Sequence, residues 1–165
     1  MRLSGAGHFS FKAGFTLIEV LMVMSIFAIL AGFTTINLLG PQRSANLNAT
    51  VTELTADIKQ QQARSMLGDT STGSVAVVHG VYFEAARYTL FVGSTYSAAD
   101  PANFVVDLPS SISLTTTFVP SQIVFDLVSG EVVNFSSGAS TVTLSVTGGE
   151  TRTLNFNKYG SVSIN

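Results

Sequence analysis

The chain has 165 residues, a formal net charge of −2 and no cysteine, which excludes a disulfide framework, a thiolate metal site and a cysteine nucleophile. Charged residues make up only 11%, against roughly 25% in soluble domains, and no basic excess is available to hold a phosphate backbone. The length suits one modest domain plus a long helix.

In chain order, a short leader at 1–14 carries Arg2, His8 and Lys12 and ends at Gly14. It is followed by FTLIEVLMVMSIFAILAGF, nineteen residues from Phe15 to Phe33 in which only Glu19 is charged. As a helix, a run of about 20 residues spans the ~30 Å of a bilayer core. Lys and Arg in the leader place that end on the cytoplasmic side. A carboxylate within a membrane helix costs roughly 2.5–3.5 kcal/mol even on lenient scales, so Glu19 marks a function and calls for a partner. The bland alternative is that Glu19 lies near one end and snorkels to the headgroups. A cleavable secretory signal fits poorly, because a cut after Ala31 puts bulky Ile29 where a small residue belongs.

Gly14-Phe15-Thr16-Leu17-Ile18-Glu19-Val20-Leu21 resembles the processing motif shared by type IV pilins, type II secretion pseudopilins and competence pseudopilins. The resemblance implies cleavage after Gly14 by a membrane-embedded prepilin peptidase and N-methylation of Phe15. Glu19 becomes the fifth residue of the mature chain. Cleavage creates an α-amino group of pKa roughly 8, mostly cationic near neutral pH. That amine lies one turn from Glu19 on the same helix, a poor geometry for pairing within one chain. A neighbour shifted along a filament axis could bring its own Phe15 amine to this Glu19, and such a pair in a low-dielectric bundle fixes register.

The apolar helix is predicted over 15–39, with a kink or break at 37–43 where Gly40-Pro41 removes an amide donor. Many members of the resembled family carry a proline earlier, about where Ile36 stands. An amphipathic helix is predicted over 44–67. Its apolar stripe is Leu47, Val51, Leu54 and Ile58, read as the seam that holds the head, with Gly68 as the cap and Asp69-Thr70-Ser71-Thr72-Gly73 as a loop.

The head, 74–165, reads as short strands. Val75–His79 and Val81–Glu84 flank Gly80, taken as a bulge or tight bend. Tyr88–Val92 follows, then a surface loop at 93–103, then Phe104–Leu108 and Ile112–Phe118. Ile123–Val128 and Glu131–Phe135 enclose Ser129-Gly130, a two-residue hairpin signal. Thr141–Thr147 and Thr151–Asn157 flank Gly148-Gly149, and Ser161–Ile164 ends the chain. The fold class is therefore α+β: a long N-terminal helix packed against an antiparallel, sandwich-like β head. The strand spacing also resembles the heads of H-type pseudopilins and minor pilins.

Chemistry in the head is sparse. His8 and His79 fall in different compartments once the leader is cut, so no histidine cluster binds a metal. His79 reads as a strand-end residue and not as a base. Asp100 sits in a loop without a calcium-binding pattern. Asn48 and Asn134 begin glycosylation-type triplets that arise easily by chance, and Tyr96 and Tyr159 read as scattered surface aromatics. No enzyme and no cofactor is expected.

The sequence thus points to a structural subunit of a type IV pilus-like or type II secretion filament, a minor pilin or an H-type pseudopilin. It waits in the cytoplasmic membrane as a single-pass protein with an extracytoplasmic head, then joins a filament in the periplasm or at the cell surface. The resemblance implies as partners other subunits, the prepilin peptidase, a platform protein and an ATPase. Two alternatives stay open: a tip or competence pseudopilin whose head binds DNA or secreted cargo, and a signal-anchored domain that never polymerises. The acidic head weighs against nucleic acid.

Overall fold

The computed structural model describes residues 14–37, 39–70 and 75–165, with the side chains of 33–37 and 39–41 left out of account. Arg2, His8 and Lys12 of the leader, and Ser71-Thr72-Gly73 of the predicted loop, lie outside the described residues. The chain divides into two compact units, Met1–Gly40 and Pro41–Asn165.

The first unit contains helix α1, Leu17–Asn37. Helix α2 is Leu39–Leu67 and begins earlier than the expected Ser44. Gly40 and Pro41 therefore lie within the helical residues of α2. The kink or break expected at 37–43 includes Leu38, which lies outside the described residues.

The second unit carries two four-stranded antiparallel sheets. Strands β1 (His79–Phe83), β2 (Arg87–Val92), β3 (Phe104–Asp107) and β5 (Gln122–Phe125) form one, in the order β3-β2-β1-β5. Strands β4 (Ile112–Thr116), β6 (Thr141–Val146), β7 (Thr151–Phe156) and β8 (Val162–Ile164) form the other, in the order β4-β6-β7-β8. The α+β class expected from the sequence is the one observed.

One core joins α2 to both sheets. Leu47, Val51, Leu54 and Ile58 are all buried, as their spacing predicts. They meet alternate residues of the strands: Val81 and Phe83, Ile123 and Phe125 from the first sheet, Val142 and Leu144, Leu154 and Phe156 from the second. Phe118 bridges the sheets, its ring centroid 6.4 Å from that of Phe83 and 5.5 Å from that of Phe156. Each such fully buried side chain stabilises the fold by roughly 1.5–3 kcal/mol.

Three local expectations are corrected. No strand covers Val75–Val78; β1 starts at His79. Gly80 is neither bulge nor bend, since it pairs in regular register with Phe91 on one side and Val124 on the other. Its function is clearance: a Cβ there would lie 2.5 Å from the Phe91 ring and 2.6 Å from the Ile123 carbonyl oxygen. The Ser129-Gly130 hairpin is replaced by a longer turn, in which the Asp126 amide donates to Glu131 O at 2.8 Å and Phe125 meets Val132 as a single bridge. Gly130 has a φ of +66° and sits under Met66 of α2, and its carbonyl accepts the Gln62 amide at 2.8 Å. By contrast Gly148-Gly149 does turn β6 into β7, with φ of +119° and +111°.

Candidate functional site

Residues 14–16 precede α1 and are not helical, so the Gly14–Phe15 peptide bond lies in open backbone. Phe15 is 84% exposed. Thr16 is the N-cap. Its carbonyl accepts the Glu19 amide at 3.1 Å, and its hydroxyl accepts the same amide at 3.3 Å. Thr16-Leu17-Ile18-Glu19 is thus a capping-box sequence, with Glu19 at the third helical position. A carboxylate in the first turn is favoured by the helix dipole by about 0.3–1 kcal/mol, which offsets part of its cost in an apolar setting. This local role follows from the Thr-x-x-Glu spacing, a signal the reading of the processing motif passed over.

Helix α1 is apolar all round, and each of its side chains described, Leu17 to Gly32, is solvent-exposed within this chain. A helix of that kind is stable only when something outside it covers its surface. Glu19, Val20, Val23, Met24 and Phe27 share one face of α1, and Phe15, just before the helix, borders the same surface. The acid therefore stands in an apolar stripe. Among the described residues no helix is long and apolar enough to cross a membrane; the side chains of α1 are described only as far as Gly32.

The head residues singled out by sequence take structural places. The side chain of His79 is buried at the start of β1 with Nε2 4.0 Å from Asp69 Oδ2, and burial pushes its pKa down, opposed by Asp69 and reinforced by Arg64. Asp100 accepts the Ala102 amide at 2.9 Å in a local turn. Among the described residues no group of three or more His, Asp or Glu could hold a metal. The Asn134 amide is engaged on both sides, accepting from Val124 N–H at 3.3 Å and donating to Gln122 O at 2.7 Å. Tyr96 is no scattered aromatic: it stacks on Tyr82 at 4.0 Å and meets the Phe91 ring edge-on at 5.8 Å.

The chain matches the family model of the prokaryotic N-terminal methylation motif at residues 10–35. No curated protein matches it. Among solved structures it is similar to the type IV minor pilin FimU of Pseudomonas aeruginosa strain PAO1, at 13% identity and a TM-score of 0.49, over 72% of this chain and 92% of that one. A likeness that distant has no bearing on function.

Proposed function

We propose, from the premise that this chain is type IV pilin-like, that it is a structural subunit of a pilus-like or type II secretion filament, of the minor pilin or H-type pseudopilin kind. The observation that carries the reading is the methylation motif at 10–35 running into an apolar helix whose described side chains, Leu17 to Gly32, are all exposed. The precursor rests in the cytoplasmic membrane with its head outside. A prepilin peptidase cuts after Gly14, and Phe15 is N-methylated. The mature subunit then trades lipid for neighbouring helices, which meet the same apolar surface with close packing.

Glu19 sets the register of that packing. The carboxylate meets the Phe15 amine of an adjacent subunit, so only one axial stagger leaves neither charge stranded. The placement of Phe15 and Glu19 beside one apolar surface supports this division of roles. So does the non-helical backbone at 14–16, where a protease can reach the Gly14–Phe15 bond without unwinding α1.

Intact mass and N-terminal sequencing of the membrane-extracted protein test the processing step. The expected product begins at N-methyl-phenylalanine, Phe15. A product beginning near Gly32, or an uncut chain in cells that hold an active prepilin peptidase, refutes it.

A further inference from the structure

The polar end of α2 and the inner face of the first sheet line a half-open cavity of about 290 Å³ that the filament role does not use. Gln61 continues the buried stripe of α2 and is 2% exposed; His79 opposite it is 1% exposed. Oε1 of Gln61 and both imidazole nitrogens of His79 have no hydrogen-bond partner among the described residues. Leaving a buried polar atom in that condition costs roughly 1–3 kcal/mol. Three such atoms fall on two residues that line one cavity, one of them, His79 Nε2, lying 4.0 Å from Asp69 Oδ2.

The chemistry of the walls narrows the occupant. Asp57 and Arg64 also line the cavity and contribute one charge of each sign, so no net charge is selected. Asp57 already accepts the Tyr88 hydroxyl at 2.7 Å, and Arg64 lies 3.9 Å from Asp69. Gln61 Oε1 requires a donor. A neutral imidazole offers one donor and one acceptor. A hydroxyl group donates and accepts at a single atom and satisfies either residue. On the apolar side stand Leu90 and the ring of Phe104, the latter 63% exposed at the start of β3. An aromatic face carries negative potential and accepts aliphatic C–H groups well. The volume lies at the lower end of small-molecule sites, roughly 300–1,000 Å³, which limits the occupant to about one ring.

We propose that this cavity binds a neutral, hydroxyl-rich small molecule of the size of one hexose unit, its ring C–H face on Phe104 and its hydroxyls toward Gln61 and His79. The full-length protein, in a zwitterionic detergent free of sugar headgroups, is titrated with glucose, galactose and N-acetylglucosamine, with sodium sulfate as the charged comparison. The Gln61 side-chain amide and the Phe104 and His79 rings are followed by NMR. Saturable millimolar shifts at these groups are expected with at least one sugar, weakened about tenfold in Phe104→Ala, a surface truncation whose thermal unfolding is expected to match that of the parent. The absence of saturable shifts with every sugar, equal binding by Phe104→Ala, or saturation by sulfate alone would each overturn the proposal. Because binding is read on unassembled protein, none of these results touches the filament reading.

Discussion

The Tyr88 hydroxyl joins β2 to α2 by donating to Asp57 Oδ2 at 2.7 Å. Burial first, then that hydrogen bond and the negative charges of Asp57 and Glu53, hold its pKa well above the usual 10. A tyrosine that ionises less readily folded than unfolded contributes stability below pH ~10 and loses it as the pH rises further, because the unfolded chain then releases a proton the folded one keeps. Unfolding free energy is therefore expected to fall above pH ~10. Tyr88→Phe should cost about 0.5–1.5 kcal/mol near neutral pH and make the alkaline fall shallower than in the parent, as read by chemical denaturation across that range. His79 works in the opposite direction. Its depressed pKa means that the unfolded chain takes up a proton first, so stability declines as the pH drops below about 6.5. His79→Gln should flatten that acid limb in the same denaturation series. At this scale the motif containing Gly14, Phe15 and Glu19 is a wholly local signal, matched by the methylation family model at 10–35. Gln61 was not legible: its polarity reads as solvent exposure, and only the fold shows it continuing the buried seam of Leu54 and Ile58.

Among the elements, β1 depends on Gly80. The Phe91 ring lies over that position and is fixed by the edge of Tyr96, which stacks on Tyr82. The loop after β2 thus folds back over the outer face of the sheet. Gln122 of β5 holds it there, accepting the Tyr96 amide at 3.1 Å and donating to Ser94 O at 3.4 Å. Gly80→Ala pushes a methyl group into a ring and a carbonyl, and about 1–3 kcal/mol of destabilisation is expected from such overpacking. Thermal unfolding should show it as a lowered midpoint; an unchanged midpoint would mean that the ring moves aside freely. The same element shows where local sequence falls short. A glycine in a strand reads as a bulge, because what it makes room for lies eleven residues away. Likewise Ser129-Gly130 reads as a tight hairpin, whereas Gly130 is small because Met66 of α2 sits on it. The Leu47–Ile58 stripe and the Gly148-Gly149 turn were legible because their signals are wholly local.

For the molecule as a whole, two surfaces obey different rules. The unit from Pro41 onward has one apolar core shared by α2 and both sheets. Helix α1 buries none of its described side chains within the chain, and its apolar surface is an unsatisfied demand that lipid or other copies of α1 can meet. In the proposed filament role, Glu19 is what separates a subunit from a passive anchor, because a carboxylate in that stripe gains from a cationic partner that a lone membrane helix lacks. The most direct test compares parent and Glu19→Ala subunits in sheared filaments, with membrane levels and processing of both measured alongside. The account predicts that Glu19→Ala is inserted and cut after Gly14 like the parent, yet is recovered in filaments at a level lower by about tenfold or more, since removing one partner of a buried ion pair costs roughly 3–5 kcal/mol. Recovery of Glu19→Ala in filaments at the parent level would contradict it.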